Sequence, residues 1–201
     1  MSNKKGKLVI LSAPSGAGKT TICKNLLNMN KDWQYSISAT TRPMRENEIN
    51  GKDYYFLSKE KFEHKEKFGE FIECEWVHGN RYGTPVQPLE DALDNGNVFL
   101  LDIDVKGAMS LIEDFGEDCL SVFIEPPGIN IQEKLESLNE RLLNRGGSNE
   151  TLIKQRLKRF ELELSYKEKI KLILPSSLSF INEDLEETTN EINKNIKENL
   201  K

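Results

Sequence analysis

The stretch Ser12-Ala13-Pro14-Ser15-Gly16-Ala17-Gly18-Lys19-Thr20-Thr21 constrains this chain most. The apolar run Leu8-Val9-Ile10-Leu11 precedes it, and Ile22, Leu26 and Leu27 follow at helical spacing. Strand, glycine-rich turn and helix in that order are the setting of a phosphate-binding loop. Gly16 and Gly18 lack a Cβ, so the backbone can curl and turn successive N–H groups inward as an anion nest. The helix that starts there adds its unsatisfied N-terminal donors and the positive end of its dipole. Ser15, Gly16, Ala17, Gly18, Lys19, Thr20 and Thr21 are therefore the candidate contacts of a nucleotide's phosphates. Lys19 supplies a point charge for the β- and γ-phosphates. The hydroxyl of Thr20 can ligate a Mg²⁺ that bridges their oxygens. The first glycine of the usual G-x-x-x-x-G-K-[ST] pattern is Ala13, which falls at the end of the strand and outside the curl. The bland alternative is a Gly-Ser turn followed by an exposed lysine. Strand and helix in register on either side argue against it.

With 201 residues the chain can be one domain or a core with inserted parts, and either has room for a sizeable core. A net charge of −5 argues against nucleic acid or an anionic membrane as the main partner. Any anion-binding surface must then be local. Cys23, Cys74 and Cys119 are odd in number, far apart and without metal-ligand spacing, so they read as reduced thiols. No stretch reaches the roughly 20 apolar residues of a membrane span, and the apolar run behind the polar, basic N-terminus is too short for a signal peptide. The expected location is the cytoplasm.

Taken in order, residues 7–12 read as a buried strand and 18–29 as the helix it feeds. Trp33 to Ser38 alternates like a second strand. Asn50-Gly51 is a hairpin signal with strand residues Tyr54-Tyr55-Phe56 behind it. Ser58 to Phe68 is a charged helix ended by Gly69, Phe71 to Val77 a strand, and 78–84 a loop. Pro88 to Asn95 is a helix stopped by Gly96. Residues 38–94 thus form a small α+β insertion. The apolar run Asn97 to Leu101 resumes the core as a strand covered on both faces. It ends in Asp102-Ile103-Asp104, and a helix with Ala108, Leu111 and Ile112 follows. Leu120 to Ile124 is another buried strand. From Ile131 to about Ser165 the pattern is helical, broken at 146–149. Either Lys171–Leu174 or Ser179–Ile181 is the last strand. Leu185, Ile192, Ile196 and Leu200 mark the last helix. Strands alternating with helices mean an α/β fold with a parallel sheet.

Asp102 stands where a carboxylate at the end of an apolar strand partners a phosphate loop and orients Mg²⁺ and its waters. Arg42 and Arg45 flank Pro43, Tyr54 follows Gly51-Lys52-Asp53, and Tyr82 lies between glycines. Two guanidinium forks and two phenols can hold a second phosphate; otherwise the arginines are a solvated surface. Trp33 and Trp76 read as packing residues, and His64 and His78 as surface groups.

A resemblance then runs along nearly the whole chain. The phosphate loop, Ser36-Ile37-Ser38-Ala39-Thr40-Thr41-Arg42, Glu48, Gly51-Lys52-Asp53-Tyr54, Phe71-Ile72-Glu73 and His78-Gly79-Asn80-Arg81-Tyr82-Gly83-Thr84 carry its first part. Leu101 to Gly107, Pro126-Pro127, Arg141-Leu142-Leu143-Asn144-Arg145-Gly146, Arg156-Leu157 and Ile181-Asn182-Glu183-Asp184-Leu185 continue it. In this set and order the chain resembles the guanylate kinase family. That resemblance implies an ATP:GMP phosphotransferase giving GDP and ADP, with Mg²⁺ as cofactor. It implies a phosphate-loop core of residues 1–37, 95–137 and 158–201, an inserted GMP-binding subdomain of 38–94, and a helical lid of 138–157. By the same resemblance Arg42, Arg45, Tyr54 and Tyr82 hold the GMP phosphate, and Ser38, Glu73, Thr84 and Asp104 read the guanine. Thr20 and Asp102 stand at the metal, and Asn182 sits beside the adenine. Arg141, Arg145 and Arg156 come from the lid and, with Lys19 and Arg42, act on the transferring group. A monomer acting on these small molecules is expected, with a homo-oligomer left open.

The chemistry agrees with those roles. Guanine presents adjacent N–H donors on its pairing edge, and an ionised Glu73 accepts both. Adenine has no such pair and leaves the carboxylate stranded. Asn47, where the family usually has glycine, tolerates φ > 0 better than most residues. Lys106 replaces a more usual glutamine, and the segments 128–138 and 167–179 are longer than typical. The rival reading is a guanylate-kinase-like interaction module with weak catalysis. Such modules lack an intact loop and lid arginines, and both are present here. A GTPase would need a base-reading N-K-x-D segment, and the sequence has none.

Overall fold

The computed structural model describes residues 6–77, 79–144 and 150–200. In chain order its first elements are β1 (Lys7–Ser12), α1 (Lys19–Met29), β2 (Gln34–Tyr35), β3 (Ala39–Thr40), β4 (Tyr55–Phe56) and α2 (Lys59–Lys67). Then come β5 (Phe71–Val77), β6 (Asn80–Pro85), α3 (Val86–Asp94), β7 (Val98–Asp102), α4 (Val105–Phe115) and β8 (Cys119–Glu125). The chain closes with α5 (Ile131–Asn144), α6 (Glu150–Ile173), β9 (Leu178–Ile181) and α7 (Leu185–Asn199). The fold is α/β, a parallel sheet flanked by helices. Packing divides the chain into two units with the boundary inside β7: Leu8–Lys31 with Leu101–Lys201, and Asp32–Leu100 with the segment ending at Lys7.

In the unit that holds the phosphate loop, β1 runs parallel to β8 from Leu8↔Cys119 to Ser12↔Phe123, and β8 runs parallel to β9. Every residue of β8 is buried, as is the apolar run of β1, which suits strands covered on both faces. α1 packs against α7, while α6 packs against both α4 and α5. Leu8, Ile10, Leu11, Ile22, Leu26, Val122, Ile124, Ile192 and Ile196 are fully buried and form the core here. Removing about 25 cal/mol per Å² of such apolar surface from water is the main term that holds the loop's scaffold in place. The last strand is Leu178–Ile181, because Lys171 to Ile173 are the last turn of α6. There Lys171 Nζ donates to the carbonyls of Pro175 (2.7 Å) and Ser177 (2.8 Å), fastening the chain that leaves the helix. α6 also runs two turns past Ser165, and the break expected at 146–149 lies outside the described residues.

In the other unit β2 pairs in parallel with β7, Gln34↔Phe99 and Tyr35↔Leu100. In the unit of the phosphate loop the strands lie in the order β1-β8-β9. The strand expected over Trp33–Ser38 is cut short after Tyr35. Ser36 and Ser38 are buried, contrary to the alternation, and the chain passes to a second sheet of order β4-β3-β6-β5. The loop expected over 78–84 is instead mostly strand β6. Its glycines mislead: Gly79, at φ 79°, turns the β5–β6 hairpin. Gly83 lies within the strand because a Cβ there would come within 3.0 Å of the Phe62 and Phe71 rings. Asn50-Gly51 opens no hairpin either. β4 runs parallel to β3, and Asn50 Oδ1 accepts from Phe56 N at 2.9 Å to shape the turn. Trp33 is buried as expected, but Trp76 is 59% exposed, with the Arg81 guanidinium over its ring.

Candidate active site

The phosphate loop follows β1 and ends in α1. Gly16 and Gly18 take φ of 101° and 98°, the left-handed region that glycine enters at no steric cost. A Cβ on Gly18 would run into the side-chain amide of Asn182. Among the described residues no side chain caps α1, and the N–H groups of Thr21 and Ile22 turn back to the Gly18 carbonyl at 3.0 Å. Lys19 Nζ forms an ion pair with Asp102 Oδ1 and donates to the Ile103 carbonyl at 2.8 Å. Thr20 Oγ1 donates to Asp102 Oδ2 at 3.0 Å. The structure thus brings Asp102 onto Lys19 and Thr20, from which it is 83 and 82 residues away in the sequence. Beneath them Cys23 is buried, and burial pushes its thiol pKa well up, keeping it protonated.

Asn182 lies directly under the loop. Only 3% exposed, it donates from Nδ2 to the Ala17 carbonyl at 2.7 Å, and its own carbonyl accepts from Arg141 Nη2 at 2.8 Å. Its backbone N–H is tied to Glu125 at 2.8 Å. Its Oδ1 is buried without a hydrogen-bond partner among the described residues. A residue expected beside a base therefore also braces the loop and anchors an arginine of α5. Burial lowers the Arg141 pKa, as expected for a cation drawn out of water. Arg156 is half-buried on α6, and Arg145 lies outside the described residues.

Asp104 caps α4. Its Oδ1 accepts from the N–H groups of Lys106 (3.1 Å) and Gly107 (2.9 Å), while Oδ2 accepts from Arg159 Nη2 at 2.5 Å. Arg159 has no motif signal. Its only sequence cue is its place three residues after Arg156 on one helix.

The other unit gathers the remaining candidates on its small sheet. Glu73 on β5 faces Thr84 on β6, and the fully buried Thr84 hydroxyl donates to Glu73 Oε1 at 2.6 Å. Tyr82 and Thr84, two apart on one strand, share a face. The Tyr82 ring meets Tyr54 edge-on at 5.8 Å. Arg42 lies 5.4 Å from the Tyr54 ring centroid and 5.5 Å from that of Phe56. Ser38 is buried and Arg45 largely exposed. Arg42 makes a two-pronged pair with Glu48, Nη1 to Oε2 at 2.9 Å and Nη2 to Oε1 at 2.7 Å. The Arg45 N–H donates to the same carboxylate at 2.8 Å. Burial works against both charges of this pair. The bonds between them, with Tyr82 on the arginine side, outweigh it, so Arg42 titrates higher and Glu48 lower than usual. Glu48 is the residue to which sequence reasoning gave no role. Its signal is the spacing across the Pro43 turn. Cys74, next to Glu73, points toward Glu66 instead, and burial raises its thiol to about 12.

Chemically, one unit presents a glycine-curled loop with a lysine, a hydroxyl and a carboxylate in contact. The other presents a stacked arginine with two phenols, and a carboxylate braced by a hydroxyl. The family model described as guanylate kinase matches residues 5–199. The guanylate kinase of Chlorobium luteolum is 43% identical over 182 residues, covering 90% of this chain and 86% of that protein. That of Chlorobaculum tepidum is 40% identical over 195 residues, covering 97% and 94%. The crystal structure of guanylate kinase from Anaplasma phagocytophilum superimposes with a TM-score of 0.75 at 34% identity, over 97% of this chain and 86% of that one. A match of that length, over motifs that the fold brings into contact, has one reading: the chain belongs to the guanylate kinase family.

Proposed function

We propose that this chain transfers the γ-phosphate of ATP to GMP, giving GDP and ADP, with the work divided between the sites just described. Membership of the family makes it a nucleotide kinase with ATP as co-substrate. The observation that carries the reading is Asp102, whose two oxygens are taken by Lys19 and Thr20 of the phosphate loop. Ser15 to Thr21 hold the ATP phosphates, and Asn182 keeps the loop in shape beside the adenine. Arg42, Arg45, Tyr54 and Tyr82 hold the GMP phosphate, for which Arg42 exchanges Glu48. Ser38, Glu73 and Thr84 read the guanine, a role the resemblance extends to Asp104. Arg141, Arg145 and Arg156 supply positive charge to the transferring group from a lid of residues 138–157. The inserted segment 38–94 carries the acceptor, and the remaining segments form the phosphate-loop core. Such transfer is mostly positioning and electrostatic stabilisation, with little covalent work for protein groups.

Thr20 and Asp102 offer a hydroxyl and a carboxylate in contact, the hard oxygen donors that Mg²⁺ takes. These two side chains would hold the ion from the protein's side. When bound, Mg²⁺ neutralises charge on the β- and γ-oxygens. Among the described residues no helix is long and apolar enough to cross a membrane. The net charge of −5 supports small molecules rather than nucleic acid or an anionic lipid surface as partners, for an enzyme working in the cytoplasm as a monomer or a homo-oligomer.

A coupled assay with ATP, Mg²⁺ and a panel of nucleoside monophosphates tests the reading. GMP is expected to be used far better than AMP, CMP or UMP. Lys19→Ala is expected to lower turnover by orders of magnitude while circular dichroism stays native. Near-normal turnover in a folded Lys19→Ala protein, or equal use of the panel, overturns it.

A further inference from the structure

We propose that Arg159 is a positioning residue for phosphoryl transfer: it pins α6, the helix that carries Arg156, to the turn that holds Lys19. The proposal rests on the reading of Arg156 as an arginine of the transfer step. The turn is residues 102–104. Asp102 and the Ile103 carbonyl hold Lys19, while Asp104 Oδ2 takes Arg159 Nη2 at 2.5 Å and its Oδ1 caps α4. Lys19 and α6 are thus fastened to three consecutive residues. Arg156 and Arg159 are three apart on one helix and neighbour each other on its surface. A shift of α6 at Arg159 therefore carries Arg156 with it.

Arg159 is itself held on both sides. Four residues further along α6, Glu163 Oε1 lies 3.4 Å from Arg159 Nε, and Glu163 is 6% exposed. Nε has no hydrogen-bond partner among the described residues, so the bond from Nη2 to Asp104 fixes the guanidinium and Glu163 adds charge attraction from the other side. A lysine could keep the charge but not the planar fork that reaches Asp104 while lying beside Glu163. Burial raises the Glu163 carboxyl to about 7; Arg159 on its own helix and Lys19 on α1 pull it down, and Asp104 before α4 pushes it up. Position 159 lies outside the motifs that carry the chemistry, and its contacts run to a cap and to a buried acid.

The consequence belongs to the transfer step. Misplacement of a catalytic group by about 1 Å can cost on the order of 100-fold in rate without loss of substrate binding. Arg159→Met is expected to lower kcat about 10- to 100-fold, with KM for ATP and for GMP within about twofold of wild type. Arg156→Met is expected to lower kcat more, and the double variant to be no slower than Arg156→Met alone, because Arg159 acts through Arg156. Arg159→Lys, which tolerates the site better, is expected to show the same pattern more weakly. Glu163→Gln is expected to flatten the part of the kcat–pH profile between about pH 6 and 8 that wild type shows, since neutral glutamine cannot tighten on Arg159 as pH rises.

Independent additive losses, or an Arg159→Met protein with wild-type kcat, overturn the proposal. A second measurement separates it from the functional reading. In nucleotide-free protein, spin labels at Glu113 on α4 and Lys158 on α6 are expected to give a narrow distance distribution that broadens in Arg159→Met. Wild type without transfer to GMP sinks the functional reading, and an unbroadened distribution sinks this one.

Discussion

The contact between Thr84 and Glu73 shows what a single residue decides. The Thr84 hydroxyl donates to Glu73 Oε1, so the carboxylate is held in place while keeping acceptor capacity for two more donors. In the proposed role those donors are the paired N–H groups of guanine. Glu73→Gln keeps the shape but turns one acceptor oxygen into an NH₂ donor, and it removes the charge that strengthens both bonds. The loss for GMP in kcat/KM is expected to be about 2–4 kcal/mol, with KM for ATP unchanged. Measured for GMP and AMP in the same assay, intact discrimination would remove Glu73 from the reading role. At this scale the sequence was most informative where chemistry is written locally. Lys19 and Thr20 sit in a motif whose spacing is its geometry. Asp102 was legible because an apolar strand has one polar end. Arg159 and the bracing role of Asn182 are not, because each depends on which distant group the fold brings opposite.

Between elements the clearest fastening is Glu125, at the buried end of β8. It accepts from Lys134 on α5 at 2.5 Å, Lys167 on α6 at 3.0 Å and Ser179 on β9 at 2.7 Å. One carboxylate thus ties three neighbouring elements to β8. Burial alone would raise its pKa, but these three donors outweigh it and hold the carboxyl at about 2. Glu125→Gln leaves the Lys134 and Lys167 ammonium groups facing a neutral amide in a mostly buried site. Breaking such a pair from one side costs about 3–5 kcal/mol. Urea unfolding is expected to show a loss in that range with m unchanged, and a loss under about 1 kcal/mol would mean that the lysines find solvent instead. None of this could be read from periodicity, which sees Glu125 only as the polar end of an apolar run. The elements themselves were largely legible, β5 and β8 nearly to the residue. The loop expected over 78–84 and the hairpin expected at Asn50-Gly51 fail for one reason: glycine and the Asn-Gly pair read as turn signals. Gly83 is in a strand because two aromatic rings pack over it, a tertiary cause invisible in the local pattern.

For the molecule as a whole, two buried carboxylates shape the dependence of stability on pH, with opposite signs. Glu125 has a folded pKa of about 2 against an ordinary 4.5, so its contribution is present in full above 4.5 and is lost as pH falls toward 2. Glu163 is the reverse. Its folded pKa is raised from 4.5 to about 7 because burial disfavours its charge and its Oε2 has no hydrogen-bond partner among the described residues. The folded state holds that proton more tightly than the unfolded chain. Stability therefore falls as pH rises from 4.5 to 7, and the cost is complete above 7. Each shift is worth about 3 kcal/mol. These two groups alone place the most stable pH near 4.5–5, with an acid limb from Glu125 and a neutral limb from Glu163. Glu163→Gln removes the second limb only. Denaturation midpoints should coincide for variant and wild type near pH 4.5. At pH 8 the variant should be more stable by up to about 3 kcal/mol. Equal midpoints at pH 8 would show that Glu163 ionises freely in the folded state. The ionisation that costs stability is the one that draws Arg159 into place, so the variant expected to be the more robust protein at pH 8 is also expected to be the slower enzyme there.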